Sequence, residues 1–229
     1  MNNKKINSTW KKIYPTINII TSKDSWVGTW HPDLKNYFKK YKVKSLRILK
    51  NHTKIKSADI TFFLGYYKYV EKKFLLKSKL NLVIHESNLP KGRGFAPLTW
   101  QILKGKNKII FTIFKINIED SRVDSGNIFF KKELKLNGLE LIEEIRLKSI
   151  IVYKYLINKV LNANIKYDGY SQYGKATHYR KRTSKDSELD LNKTLRENFS
   201  ILRIADNNRY PAFFKKKNKV FILKIYPKI

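Results

Sequence analysis

Residues 80–97 have the sequence LNLVIHESNLPKGRGFAP. The first part of this stretch is an apolar run of the kind that forms a buried strand, and the run ends at His85. A loop with two glycines, two prolines and two cations follows at once. The stretch therefore predicts a buried strand whose end carries the densest group of unusual side chains in the protein.

The loop after this strand is a candidate anion-binding site. Gly92 and Gly94 would let the backbone approach a ligand closely, because glycine has no Cβ. Lys91 and Arg93 can bind phosphate or carboxylate oxygens, and an arginine can do so through two parallel hydrogen bonds. Taken alone, the position of His85 at a strand end favours a structural histidine over a catalytic one.

Segments with strand and helix patterns alternate on both sides of this stretch. Short apolar runs predict strands, and apolar residues at three- and four-residue spacing predict helices. The predicted strands are residues 16–21, 43–49, 58–66, 80–85, 109–116 and 128–136, and the predicted helices are residues 31–41, 98–104 and 139–160. This alternation predicts an α/β fold with a Rossmann-like, mostly parallel sheet flanked by helices, which binds ligands at the carboxyl ends of its strands.

The C-terminal part of the chain has a different character. Residues 162–182 are polar and rich in tyrosine, which predicts a loop, and residues 186–199 can hold short helices. Two apolar segments flank a turn at residues 216–219 and predict a β-hairpin. The hairpin is too apolar to be left exposed, so we expect it either to pack on the core or to pair with another subunit.

The composition is strongly basic and lacks cysteine. The 229 residues contain 49 Lys and Arg against 18 Asp and Glu, a formal net charge of +31. Such a field attracts anions, but a general Lys, Asn and Ile bias laid over an ordinary fold would give the same count, and both explanations stay open. The absence of cysteine excludes disulfides, thiolate catalysis and sulfur-ligated zinc.

No targeting or membrane signal stands out. No apolar run is long enough to cross a bilayer, and the basic N-terminus lacks the apolar segment of a secretory signal. We therefore expect a cytoplasmic protein without a membrane partner. His31 and His52 lie in unremarkable sequence surroundings, so we expect both at the surface and predict no metal site.

Residues 85–97 resemble the hydroxymethyl- and formyl-transferase family, whose signature is a histidine, a serine, Leu-Pro, then Arg-Gly and Pro. The likeness continues through residues 100–105 and Thr112 to residues 123–126, VDSG, which are similar to the Asp-Thr-Gly-Asp element of the family. Residues 178–190 are similar to its run of tyrosine, basic and acidic residues. The resemblance covers about residues 17 to 190.

This resemblance implies transfer of a formyl group from 10-formyltetrahydrofolate, the co-substrate, to an amine. His85 would donate a hydrogen bond to the oxyanion that forms, and Asp124 would take a proton from the attacking amine. Without the resemblance, Asp124 is better explained as a turn-capping residue before Ser-Gly. The resemblance also implies substrate contacts by Lys91, Gly92, Arg93 and Gly94, folate contacts by Gly65, Tyr66, Ser87 and Leu89, and no metal.

One departure from the family lies inside the site. The family carries an asparagine two residues before the histidine, and this chain has Val83 there. Asn81 is on the same strand face as His85, but four residues along a strand span roughly 13 Å. Asn88, just after the histidine, is the better candidate for a replacement amide donor, and we include it among the predicted catalytic residues.

Three functions compete for this chain. The first is a sugar N-formyltransferase that acts on a nucleotide-linked amino sugar for surface glycan assembly, and the second is a methionyl-tRNA formyltransferase. The third is a non-catalytic basic binding domain. After Asp190 only 39 residues remain, too few for the RNA-binding barrel of the tRNA enzyme, and residues 16–30 contain one glycine instead of a phosphate loop. The sugar acceptor is therefore our leading hypothesis.

Two further expectations follow from the resemblance. We predict a formyltransferase core over residues 1–182 and a C-terminal helix and β-hairpin extension over residues 183–229. Hairpins of this kind build a dimer interface in sugar N-formyltransferases, so a homodimer is expected here. Residues 179–182 are either solvated basic surface or a contact for a nucleotide phosphate or nucleic acid, although we do not expect nucleic acid to be the main partner.

Overall fold

The computed structural model describes residues 15–119, 124–162 and 169–228, with the backbone alone at residues 29–32. Six strands form the central sheet in the order β2-β1-β3-β4-β6-β7. They are β1 (Thr16–Ile20), β2 (Ser45–Leu49), β3 (Ala58–Leu64), β4 (Ser78–His85), β6 (Lys108–Lys115) and β7 (Ile128–Lys135). The first four strands in this order are parallel to one another, and β6 and β7 join antiparallel. The predicted mostly parallel α/β sheet is confirmed.

Five α-helices and two smaller sheets complete the described fold. The helices are α1 (His31–Lys39), α2 (Lys72–Leu75), α3 (Pro97–Leu103), α4 (Ile142–Asn162) and α5 (Leu195–Arg203). A short parallel pair joins β5 (Arg93–Gly94) to β8 (His178–Tyr179), and an antiparallel hairpin joins β9 (Ala212–Lys216) to β10 (Lys219–Leu223). The predicted C-terminal helix and hairpin are therefore present.

The starts of β1 and β3 are tied together by one carboxylate. Thr16 donates to Asp59 Oδ2 through both its backbone N and its Oγ1, each at 2.9 Å, and the amide of Asp59 donates back to Thr16 Oγ1 at 2.9 Å. These bonds satisfy polar groups at the strand entry and set the parallel register in which Ile17 pairs with Ile60. The strand ends at the opposite edge of the sheet are thereby aligned.

The two faces of the sheet are buried against different elements. On one face a large apolar cluster, which includes Phe62, Phe111 and Tyr153, packs beneath α1, α3 and α4. On the other face a smaller cluster, which includes Ile20 and Phe63, packs beneath α2. Because side chains alternate along a strand, β4 contributes to both clusters, and its last residue emerges on the second face.

Several local predictions differ from the structure. Residues 26–30, which no predicted element covers, form a 3-10 helix, and short 3-10 helices also occur at His52–Lys54 and Ser184–Ser187. His52, predicted at the surface, is buried, with Nδ1 2.5 Å from the Tyr66 hydroxyl and Nε2 2.7 Å from Glu71 Oε2. Its partners come from later in the chain, which its sequence neighbours do not reveal. The side chain of His31 and all of Val123 lie outside the described residues.

The C-terminal extension packs through one side only. A capping box between Thr194 and Glu197 begins α5, and the hairpin turns at residues 216–219 as predicted. Leu202 and Ala212 join a small apolar cluster between α5 and β9, whereas β10 is largely exposed. The division into a core over residues 1–182 and an extension over residues 183–229 stays a prediction.

Candidate active site

The end of β4 places His85 at the carboxyl edge of the sheet, where the sequence predicts a ligand site. The residue is buried, with 7% of its surface exposed. Its Nε2 lies 2.8 Å from the carbonyl oxygen of Gly92. Because a carbonyl oxygen only accepts hydrogen bonds, Nε2 carries the hydrogen in this arrangement. The strand end therefore presents an N–H donor.

Asp124 meets this imidazole from the other side of the loop. Its Oδ2 lies 3.7 Å from His85 Nε2 and accepts a hydrogen bond from the amide of Gly94 at 2.9 Å. The backbone of Asp124 is left-handed, with φ of +53°, a conformation that aspartate adopts more readily than most residues. The structure thus brings the two predicted catalytic side chains together as an N–H donor beside a carboxylate acceptor.

Gln172, which the sequence did not single out, supports Asp124. Its Nε2 donates to the backbone carbonyls of Asp124 at 2.7 Å and Gly126 at 2.8 Å, and its Oε1 accepts from Arg93 Nη2 at 2.7 Å. Arg93 is buried, with 9% exposed, so its guanidinium braces the site from inside the protein. A direct contact between Arg93 and substrate stays a prediction.

Gly92 and Gly94 pack closely against the chain itself. A Cβ at Gly94 would lie 2.5 Å from the carbonyl oxygen of Tyr179, and a Cβ at Gly92 would lie 2.9 Å from the ring of the same tyrosine. Both glycines also have positive φ, +76° and +92°. The cause is the pairing of β5 with β8, which draws the loop onto residues 177–179. Glycine is therefore required here for packing, whatever the loop binds.

Two half-buried aromatic rings and two exposed cations border the loop. Trp100 and Tyr179 stack with ring centroids 6.3 Å apart and planes 12° apart. Arg180 lies over Trp100 and Lys104 over Tyr179, each 4.7 Å from the ring centroid. We call these four side chains the aromatic-cation row. Arg180 is also paired with Asp186, so among the described residues the uncompensated charge that the row places beside Gly92 and its loop is that of Lys104 over Tyr179.

The position two residues before His85 carries no amide, and the two nearby asparagines differ in placement. Val83 packs among apolar neighbours, and Asn81 is buried with its Nδ2 donating to the carbonyl of Leu75 at 2.9 Å. Asn88 is exposed in the loop, and its Oδ1 accepts a hydrogen bond from Lys131 Nζ at 2.6 Å. Of these two asparagines, Asn88 is the one in the loop that surrounds the imidazole.

The predicted folate contacts occupy two neighbouring strand ends. Ser87 and Leu89 are buried in the loop after β4. Gly65 and Tyr66 follow β3, which pairs in parallel with β4. Gly65 has φ of +59°, and a Cβ there would lie 2.3 Å from Ser25 Oγ. The four positions therefore share one edge of the sheet, while their role in folate binding stays a prediction.

A half-buried carboxyl next to His85 was missed by the sequence reasoning. Glu86 Oε1 accepts a hydrogen bond from the Tyr153 hydroxyl at 2.8 Å. Burial raises the pKa of Glu86, which the nearby imidazole of His85 opposes, and burial together with Glu86 raises the pKa of Tyr153. Because the tyrosine lies 67 residues away in the chain, only the fold reveals this pair.

Within residues 15–119, 124–162 and 169–228, no group of three or more His, Asp or Glu side chains is arranged to hold a metal ion. In the same part of the chain, no helix combines the length and hydropathy that a membrane span requires.

Comparison with known proteins gives a family match over most of the core. Residues 14–148 match the family described as formyl transferase. The bifunctional polymyxin resistance protein ArnA of Wigglesworthia glossinidia brevipalpis is 25% identical over 224 residues, 88% of this chain and 32% of that protein. Methionyl-tRNA formyltransferase of Thermosipho melanesiensis is 31% identical over 155 residues, 68% of this chain and 48% of that protein. The chain thus spans about half or less of the length of these curated relatives.

Three solved structures share the fold. Methionyl-tRNA formyltransferase from Clostridium thermocellum has a TM-score of 0.71 at 23% identity, covering 91% of this chain and 99% of that chain. A sugar N-formyltransferase from a Shewanella species has a TM-score of 0.63 at 15% identity, covering 93% and 98%. HypX from Aquifex aeolicus, in complex with tetrahydrofolic acid, has a TM-score of 0.71 at 14% identity, covering 93% and 38%.

Proposed function

The chain belongs to the formyl transferase family, and from this premise we propose that it transfers a formyl group from 10-formyltetrahydrofolate to the amino group of a nucleotide-linked amino sugar. The observation that carries the proposal is the meeting of His85 Nε2 and Asp124 Oδ2, 3.7 Å apart, at the end of β4. An N–H donor beside a carboxylate is the pair that acyl transfer to an amine requires.

The proposed roles of the two side chains are complementary. The uncharged amine of the acceptor attacks the formyl carbon, and negative charge develops on the formyl oxygen. His85 donates its Nε2 hydrogen to that oxygen, while Asp124 takes the proton that the attacking nitrogen loses. The proton then passes to the leaving nitrogen of the folate as the old C–N bond breaks. The products are the N-formylated acceptor and tetrahydrofolate, so atoms and charge balance.

The site fits a formyl carbonyl. The oxygen of Gly92 lies 2.8 Å from His85 Nε2, and this contact supports the proposal that a formyl oxygen binds at the same position. On binding, the formyl oxygen would replace the Gly92 carbonyl as the acceptor. The likeness to HypX, solved with tetrahydrofolic acid, supports folate as the group that brings the formyl carbonyl.

The nature of the acceptor rests on the surroundings of the loop. Lys91 and Lys104 place two exposed cations beside the site, which suits the phosphates of a nucleotide sugar, whereas Arg180 is already paired with Asp186. The likeness of fold to a sugar N-formyltransferase extends over 93% of this chain. Sugar formylation for surface glycan assembly in the cytoplasm is the setting that we propose.

Methionyl-tRNA is the second candidate acceptor. The net charge of +31 favours an RNA partner through counterion release, and methionyl-tRNA formyltransferase of Thermosipho melanesiensis is a 31% identical relative.

Mass spectrometry of a mixed assay tests the proposal. The protein is incubated with 10-formyltetrahydrofolate and a panel of nucleotide amino sugars, with methionyl-tRNA in a parallel reaction. We expect one amino sugar to gain the mass of a formyl group. If only the tRNA is formylated, the acceptor is methionyl-tRNA and the sugar hypothesis is wrong. Folate-dependent binding without transfer to any acceptor would favour a non-catalytic domain on this scaffold.

Substitution of the central pair tests the mechanism. We expect His85→Ala and Asp124→Ala each to lower kcat by about a hundredfold or more, since each removes one of the two groups that act on the reacting atoms. His85 is buried and both side chains bond the loop, so each variant should lose about 1–3 kcal/mol of stability yet remain folded, which thermal unfolding checks. Full activity in both variants would contradict the assigned roles.

A further inference from the structure

His85, Thr112 and Lys131 form a row across three strands. The register pairs His85 of β4 with Thr112 of β6, and Thr112 with Lys131 of β7. Directly paired residues of antiparallel strands project from the same face of a sheet, and each step is about 5 Å. The lysine is therefore on the catalytic face, with its backbone about 10 Å from that of the histidine.

The loop after β4 folds back over this row and is bonded to it residue by residue. Thr112 Oγ1 donates to the carbonyl of Ser87 at 2.6 Å. Lys131 Nζ donates to Asn88 Oδ1 at 2.6 Å and to the carbonyl of Leu89 at 3.0 Å. The ammonium thus holds both the backbone of the loop and the one amide side chain in it.

The contact with Lys131 also fixes the orientation of the Asn88 side-chain amide. An ammonium only donates, so the atom of Asn88 that it contacts must be the carbonyl oxygen. The NH₂ group of Asn88 is then directed away from Lys131. Within the part of the chain that the structure describes, the two N–H groups of Asn88 have no acceptor; they belong to the loop whose Gly92 carbonyl contacts His85, and position 83 holds valine instead of an amide.

We propose that Lys131 is a positioning residue that orients the Asn88 amide as the second hydrogen-bond donor to the formyl oxygen, in place of the amide missing at position 83. The inference rests on the proposed function, because it assigns these residues to the same reaction. Lys131 does not touch the substrate; it acts through Asn88, by holding Oδ1 and leaving Nδ2 free.

A double-mutant cycle separates this role from a general loss of structure. We expect Asn88→Ala to lower kcat by about a hundredfold, the cost of one oxyanion donor, with little change in KM. Lys131→Met should lower kcat by a similar factor. The double variant should be no slower than Asn88→Ala, because Lys131 has nothing left to orient. Losses that multiply in the double variant would overturn the inference.

Two further variants sharpen the test. Asn88→Asp keeps an oxygen for Lys131 but removes the NH₂ donors, so we expect kcat to fall as in Asn88→Ala. Lys132→Met is the matched control, since Lys132 lies over the Tyr155 ring, and this variant should keep wild-type kcat. Wild-type activity in Lys131→Met would overturn the positioning role alone, whereas a wild-type protein that transfers no formyl group would overturn the proposed function together with it.

Discussion

Glu86 is the residue whose ionisation opposes folding at neutral pH. Burial raises its pKa above the ordinary value of 4.5, so from that pH upward the folded chain holds a proton that the unfolded chain releases. Folding stability therefore falls as pH rises through this window. Glu86→Gln keeps an oxygen for the Tyr153 hydroxyl but cannot ionise. We expect the variant to gain stability relative to wild type at pH 8 and less at pH 4.5, measured by urea unfolding.

The outcome at pH 4.5 is the internal control of that experiment, because the wild-type carboxyl is then largely neutral. If Glu86→Gln is stabilised equally at both pH values, the difference between glutamate and glutamine comes from packing and not from ionisation.

At the residue scale, local signals were readable from the sequence and distant partners were not. His85 and its glycine-rich loop stand out because a strand pattern stops there and special residues cluster. Lys131 and Gln172 lie 43 and 48 residues from Asn88 and Asp124. They occupy ordinary strand and loop patterns, so only the register of β6 with β7 and the path of the later loop reveal their contacts.

At the scale of elements, the turn into β7 depends on Gly126. A Cβ at this position would lie 1.6 Å from the carbonyl oxygen of Lys115, far inside any tolerated contact. Gly126→Ala must therefore shift β7 against β6 or move Asp124 out of the site. We expect a loss of about 3 kcal/mol in unfolding free energy and a lower kcat, measured by denaturation and by the transfer assay.

Gly105→Ala is the matched control for this substitution. Gly105 has positive φ, +74°, but a Cβ there meets nothing within 4 Å. Backbone strain alone should cost about 1 kcal/mol and leave kcat unchanged. Equal effects of the two substitutions would show that the close approach at Lys115 does not govern the turn.

The elements themselves followed from apolar patterns, with ends displaced by a few residues. Strand direction was harder to predict from the sequence. The apolar runs of β6 and β7 look like those of the parallel strands, and their antiparallel direction is set by the paths of the connecting loops. The pairing of β5 with β8 involves two residues on each strand, too few to leave a pattern in the sequence. That pairing nevertheless places Tyr179 against the loop.

At the scale of the whole molecule, buried charge pairs attach the C-terminal extension to α4. Arg146 Nη2 lies 2.7 Å from Asp206 Oδ2. Burial alone would raise the pKa of Asp206, but Arg146 together with the backbone amides of Asn208 and Arg209 outweighs it and lowers the pKa to about 2. The resulting stability is present above the unfolded pKa near 3.8 and is lost as pH falls toward 2. We expect Asp206→Asn to cost about 2 kcal/mol at pH 7 and almost nothing at pH 2, measured by denaturation.

In the same extension, strand β10 pairs with β9 on one side and, among the described residues, has no strand on its outer edge. The order of the small sheet is β10-β9, and on β10 Val220 is 59% and Ile222 64% exposed. Their side chains share one face, because the two residues are separated by one position. An exposed apolar edge strand is a template for pairing with another chain, which supports the homodimer that we propose.

Light scattering after gel filtration tests the homodimer through this edge. Ile222→Lys should convert the dimer to a monomer, whereas Leu147→Lys, at an equally exposed apolar position on α4, should not. Lys215, Lys216 and Lys219 flank the edge, so two copies would bring like charges together, and screening by salt should strengthen dimerisation. A wild-type protein that stays monomeric at high salt would contradict this dimer interface. The proposed active site is built from residues of one chain and would not be affected by that result.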